Sequence, residues 1–156
     1  MSAPTAPAGL TTSELSTWRS FLRAHATVIR RLEHELLAEH ELPLASYDVL
    51  VQLSEAPDRS LRMTELADRV LLSRSGLTRL ADRLERHGMI ARQACPSDAR
   101  GTLAVLTDAG LERLRRAWPT HLRGVAEHVT GRLTPGEVEQ LGLLLGKLVD
   151  PCSEGT

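Results

Sequence analysis

Residues 66–110 read LADRVLLSRSGLTRLADRLERHGMIARQACPSDARGTLAVLTDAG, and the punctuation of this stretch decides the fold. Leu66, Ala67, Val70 and Leu71 recur at the i, i+1, i+4, i+5 spacing of a short amphipathic helix, for which Thr64 is the expected N-cap. LSRSG turns the chain, Ser73 caps the next helix, and Gly88 stops it after residues 74–86. In this second helix Leu77, Leu80, Ala81 and Leu84 fall on one face. Ser75, Arg79, Asp82 and Arg86 fall nearly opposite, with Thr78 and Arg83 alongside. Two short helices joined by a tight turn, the second with an outer face rich in Ser, Thr and Arg, have the pattern of a helix-turn-helix.

Beyond Gly88, MIARQA and TLAVLT alternate apolar and polar residues on either side of a loop, which predicts a β-hairpin with residues 95–101 at its tip. Asp98 and Arg100 sit two apart at that tip. An exposed ion pair contributes only about 0–1 kcal/mol, so stability does not account for them. Thr107-Asp108 caps a long helix from 108 to about 131, with a kink expected at Pro119, and Thr134-Pro135-Gly136-Glu137 is a capping box opening a last helix that reaches about 149. Upstream, Ser46 is expected to cap a helix over 47–55 with Val49, Leu50 and Leu53 inward, ended by EAPDRS. Thr11 and Glu14 have capping-box spacing at the start of a first helix that runs toward Leu42-Pro43. Along it Leu15, Trp18, Leu22, His25, Ile29, Leu32 and Leu36 recur at alternating steps of three and four, a narrow seam for packing on other helices. The fold class is mainly α with a small β wing.

At 156 residues and 42% hydrophobic composition the chain can bury a core without staples. No apolar run approaches the roughly 18–20 residues of a membrane span, and MSAPTAPAGLTT lacks the basic start and apolar core of a signal peptide. Cys95 and Cys152 form neither metal-ligand spacing nor a disulfide framework, which suits a reducing cytoplasm. The net charge of −1 taken alone argues against a nucleic-acid partner, but residues 59–100 hold nine arginines against five acids, a net of +4 between acidic flanks. Since 18 of the 19 basic residues are Arg, that run also reads as the solvated face of an Arg-rich protein. Charge leaves both readings open.

With these elements in order, residues 66–110 resemble the MarR family of winged-helix transcriptional regulators: two helices, an L-E-x-x-G-x-I exit, a D-x-R wing tip and an LTDAG helix start. The resemblance extends from about Leu15 to Val149. It implies a winged helix-turn-helix at 46–106, a dimerisation helix at 11–45 and further dimerisation helices at 107–150, with tails at 1–10 and 151–156. It also implies a homodimer on double-stranded DNA with a pseudo-palindromic operator, acting as a repressor released by a small ligand, with no cofactor. In such regulators the wing Arg enters the minor groove and the D-x-R Asp holds it, roles that fall on Arg100 and Asp98. Ser75, Thr78 and Arg79 would face base edges, Arg79 foremost because Arg is the commonest reader of guanine. Arg62, Thr64, Ser73 and Arg74, at helix starts, would hold phosphates. Arg83 and Arg86 read equally well as partners of Asp82 and Glu85. A small anionic or aromatic effector is expected where the first helix meets the winged lobe, on Trp18, Arg19 and His25.

Two other readings share the fold. His121 and His128 lie seven apart on one helix face, within reach of His25 or His34, which would suit a metal-responsive regulator; without tight ligand spacing, solvated or core histidines account for them better. Cys95, near Arg92 and Arg100, would suit a redox-responsive one. A small helical enzyme is the reading from another class, and no nucleophile elbow, phosphate loop, H-E-x-x-H or acid pair supports it.

Overall fold

Thr11 opens the first helix as its spacing predicts, its hydroxyl accepting the Glu14 N–H at 3.2 Å while the Glu14 carboxylate accepts the Thr11 N–H at 2.6 Å. The computed structural model describes residues 9–70 and 72–149; Leu71, Cys152 and, apart from Gly9 and Leu10, the two expected tails lie outside them. The elements are α1 (Thr12–His40), α2 (Leu44–Glu55), β1 (Ser60–Arg62), α3 (Met63–Arg69), α4 (Arg74–Arg86), β2 (Ile90–Cys95), β3 (Asp98–Leu106), α5 (Asp108–His128) and α6 (Pro135–Val149). Mainly helical, with a three-stranded antiparallel sheet, the fold is the expected winged helix-turn-helix flanked by long helices.

Two expected caps are corrected. α2 begins at Leu44 behind an extended Pro43, and the Leu44 N–H is capped by the Glu33 carboxylate of α1 at 2.5 Å, while Ser46 is buried inside the first turn. α3 begins at Met63 behind an extended Arg62 with no side-chain cap, so Thr64 lies within the helix. Ser73 does cap α4, accepting the Gly76 N–H at 3.1 Å, and Glu137 and Thr134 close the box at α6. α5 runs unbroken through Pro119 and ends at His128, short of 131, where a 3-10 turn over Thr130–Arg132 takes over.

The hairpin turn is tighter than expected. Only Pro96 and Ser97 separate the strands, so Asp98 and Arg100 belong to β3, and a register shift between Ala94 and Cys95 sets Cys95 opposite Asp98. β3 is central: β2 pairs on one side, and β1, too short to alternate, pairs on the other with Leu61 opposite Ala104. Leu61 is buried and ties the α2–α3 connection to the wing.

The core joins Leu32 and Leu36 of α1, Val49, Leu50 and Leu53 of α2, Leu66 and Ala67 of α3, the predicted Leu77, Leu80, Ala81 and Leu84 of α4, Ile90 and Leu106 of the wing, and Leu114 and Ala117 of α5. Each large apolar side chain buried there contributes about 1.5–3 kcal/mol. α4 is joined to α5 at a tight splice. Gly88 takes φ 70°, and the Thr107 hydroxyl donates to the Gly88 carbonyl at 2.6 Å while accepting the Gly110 N–H at 3.0 Å. A Cβ on Gly110 would stand 2.0 Å from the Met89 carbonyl oxygen, so only glycine allows the approach.

Much of the first-helix seam stays exposed among the described residues. Leu32 and Leu36 are buried, but Trp18 is 54% exposed, Leu22 45% and Ile29 40%. α6 has no buried residue, and Leu143, Leu144 and Leu148 stand exposed along it.

Candidate nucleic-acid interface

α4 offers its N-terminal half outward. Arg74, Ser75, Thr78 and Arg79 are exposed, opposite the buried leucines. The Thr78 hydroxyl donates to the Arg74 carbonyl at 2.8 Å, which leaves it an acceptor for any ligand, and Ser73 is committed to its cap. Among the described residues, no acid pairs with the side chain of Arg74, Arg79, Arg83 or Arg86.

The wing tip and α3 meet α4 around a concavity of about 370 Å³, whose lining includes Arg62, Thr64, Thr78, Arg92, Asp98 and Arg100. Five residues read from the sequence as DNA contacts are thus brought together, from four elements: β1, α3, α4 and β3. Arg79 faces a neighbouring shallow concavity with Gly76, Asp82, Arg83 and Arg86.

Asp98 does not hold the guanidinium of Arg100. One carboxylate oxygen accepts the Arg100 backbone N–H at 3.0 Å, and the other lies 3.6 Å from the guanidinium of Arg62, which also donates to Ser97 at 3.0 Å. The register shift turns Asp98 back toward β1, so its charge serves an arginine 36 positions upstream. Arg100 stays exposed.

The acids of α4 have a partner that sequence reasoning missed. Arg92 of β2 lies 2.7 Å from Asp82 and 2.6 Å from Glu85, and its backbone N–H donates to Glu85 at 3.0 Å. Hydrogen bonds from the Arg92 side chain hold the Glu85 carboxyl below its ordinary value. Arg83 and Arg86 therefore do not have these carboxylates as partners. The only signal in the sequence was two acids on one helix flank, which does not point to a strand beyond the turn.

Cys95 is buried, with its sulfur 3.3 Å from the Ser97 hydroxyl. Hydrogen bonds from Ser97 lower its pKa, with a smaller contribution from Arg62 rather than from the expected Arg92 and Arg100. His121 and His128 do not converge. His121 stacks on Tyr47 with ring centroids 4.4 Å apart, and burial pushes its pKa down; His128 meets Glu35 at 2.5 Å. Glu35, Glu127 and His128 have ligand atoms within 4.8 Å of one another, the one such group among the described residues, but Arg23, Arg31 and Arg132 line the groove beside His128 and oppose a cation.

Trp18, Arg19 and His25 do not line a junction with the winged lobe. They lie in the exposed half of α1, where Trp18 stacks on Phe21 at 6.0 Å, and it is Val28, Leu32 and Leu36 that pack on the core.

The profile described as MarR family matches residues 40–101. YkoM of Bacillus subtilis, an uncharacterized HTH-type transcriptional regulator, is 33% identical over 135 residues, 85% of this chain and 84% of that one. Sco3205, a MarR family transcriptional regulator from Streptomyces coelicolor solved in complex with DNA, superposes with a TM-score of 0.87 at 40% identity over 96% of this chain and 95% of that one. AbsC, a MarR family transcriptional regulator from the same organism, gives 0.85 at 33% identity over 92% and 97%.

Proposed function

The chain belongs to the MarR family of transcriptional regulators, and on that premise we propose that it binds duplex DNA as a two-fold homodimer, with α4 in the major groove and the wing beside it. It is a regulator and not an enzyme. The observation that carries the reading is the cationic concavity joining α4 to the wing, with Arg62 held by Asp98 and Ser97 at its rim. The DNA complex of Sco3205, at 40% identity, supports it. In this reading Arg79, Ser75 and Thr78 meet base edges, Arg100 and its Asp98-anchored backbone meet the minor groove, and Arg62, Thr64, Ser73 and Arg74 hold phosphates. Residues 46–106 form the reading lobe, and 11–45 with 107–150 the dimer lobe.

The uncovered apolar faces of α1 and α6 support the homodimer, which sets two α4 helices about 34–36 Å apart on a pseudo-palindrome. Duplex DNA as partner assigns the protein to the cytoplasm; no helix among the described residues is long and apolar enough to cross a membrane. Selection from a random duplex pool, followed by anisotropy titration of the enriched sequence, tests the reading. Enrichment of a two-fold motif is expected, and binding that does not distinguish the enriched duplex from random DNA overturns it.

Repression relieved by a small anionic or aromatic ligand is the regulatory part of the same proposal. The stacked Trp18–Phe21 pair beside Arg19, on a face that awaits a partner helix, supports a ligand site completed by dimerisation. Each tenfold loss of operator affinity requires about 1.4 kcal/mol of differential binding. Titrating a Trp118→Phe protein, in which Trp18 is the one remaining tryptophan, with salicylate, phenolic acids and urate, with and without operator, checks it: quenching of Trp18 that operator weakens is expected, and quenching indifferent to operator removes the coupling.

A further inference from the structure

A helix that enters a DNA groove carries its acids with it, and α4 has two. Asp82 shares a concavity with Arg79, Arg83 and Arg86, and Glu85 follows three residues later on the same flank. Left bare, both carboxylates would face the field of the phosphates that the four arginines of the helix attract. They are not bare. Arg92 reaches across from β2 with 27% of its side chain exposed and takes both at 2.7 and 2.6 Å, while its own backbone N–H holds the second oxygen of Glu85 at 3.0 Å.

We propose that Arg92 is a positioning residue for DNA binding: by closing on Asp82 and Glu85 it engages both carboxylates of the recognition helix and offsets one of their two negative charges, so that with Arg74, Arg79, Arg83 and Arg86 the helix and its partner carry a net charge of +3 instead of +2. Arg92 acts through those acids and not by touching DNA. It also lines the wing concavity with Arg62 and Arg100, so the two basic surfaces stay continuous across the point where the acids would otherwise interrupt them. Lysine fits the role less well, since a single ammonium lacks the planar fork that spans two carboxylates. The inference rests on the DNA-binding reading above.

The test measures affinity for the enriched duplex in the parent and four variants, with thermal melting to confirm folding. Arg92→Ala is expected to bind about tenfold more weakly, as two carboxylates are uncovered beside phosphate. Adding Asp82→Asn and Glu85→Gln to Arg92→Ala restores most of that loss, Arg92→Lys lies between Arg92→Ala and the parent, and Asp82→Asn/Glu85→Gln alone binds at least as tightly as the parent. Failure of the triple variant to recover would mean that Arg92 touches DNA itself. A loss in Asp82→Asn/Glu85→Gln as large as that of Arg92→Ala would mean that the cluster only props the wing. Either result overturns the inference, whereas a parent protein that binds no duplex selectively removes the DNA reading beneath it.

Discussion

The Asp98 carboxylate faces Arg62, 3.6 Å away, and not the guanidinium of Arg100 two residues along its own strand. The wing is therefore fastened to the N-terminal end of α3, and an arginine expected to act alone on phosphate is held by two wing residues, Ser97 and Asp98.

Both partners of that pair are nearly half exposed, so its direct effect on stability is small, about 0–1 kcal/mol. Its effect on DNA binding is expected to be coupled: Arg62→Ala and Asp98→Ala each weaken the complex, and the double variant is less than additive by about 0.5–1 kcal/mol. Asp98→Ala with Arg100→Ala is expected to be closer to additive. A binding cycle at fixed salt reads both, and coupling confined to the Asp98–Arg100 pair would contradict the geometry.

Arg79→Ala is expected to cost about 1–3 kcal/mol on operator and to relax base preference, while Arg74→Ala weakens binding to every sequence and lowers the salt slope by about one. Titrations of operator and random duplex across a salt series separate the two. Equal losses on both duplexes for Arg79→Ala would assign it to the backbone.

Leu144→Glu with Leu148→Glu adds charge to a face with no buried residue in the isolated chain. The fold of the winged lobe should persist while sedimentation at micromolar concentration shifts from dimer to monomer. An unchanged sedimentation coefficient would exclude this face of α6 from the interface.

Gly110→Ala sets a methyl group against the Met89 carbonyl oxygen and is expected to lower stability by about 1–3 kcal/mol or more, read as a fall in denaturant midpoint. Gly136→Ala, where a Cβ meets nothing within 4 Å, is the matched control and should leave the midpoint nearly unchanged.

His121 sets a pH dependence whose sign follows from its lowered pKa. The unfolded chain takes up a proton near the ordinary imidazole value of about 6.5 and the folded chain only at lower pH, so between those two values the unfolded state binds more protons. Stability is full above about 6.5 and declines as pH falls toward the folded value. His121→Phe should flatten that part of a denaturation-versus-pH curve while keeping the stack on Tyr47. An unaltered slope would assign the pH dependence to other groups.

What was legible in the sequence is what local chemistry decides. Thr11, Ser73, Thr107 and Thr134 each accept an N–H three residues ahead, and spacing alone reveals that. Ser46 and Thr64 have the same residue chemistry but are not caps, because Glu33 from another helix caps α2 and α3 starts without a side-chain cap. β1 has three residues and no alternation to read. The partners of Asp98, Asp82 and Glu85 lie across the sheet or beyond a turn, so the nearest arginine in sequence was the wrong one for Asp98. The seam of α1 is legible as a row for packing on other helices, but among the described residues only Leu32 and Leu36 of it are buried.

The double hydroxyl bond of Thr107, to the Gly88 carbonyl and the Gly110 N–H, makes the exit of α4 and the start of α5 a single mechanical joint. There is little slack there, since a Cβ on Gly110 would fall 2.0 Å from the Met89 carbonyl oxygen, and the Thr107 N–H donates to that same oxygen at 3.1 Å. In the proposed dimer, α5 then works as a lever whose short arm is this joint. A few degrees of tilt imposed at the far end, near His128 and Glu35, swing the reading lobe as a rigid body instead of being absorbed by a loop. The separation of the two reading helices thereby becomes a gauge of helix angle, and a joint loosened by Thr107→Ala would make that gauge slip.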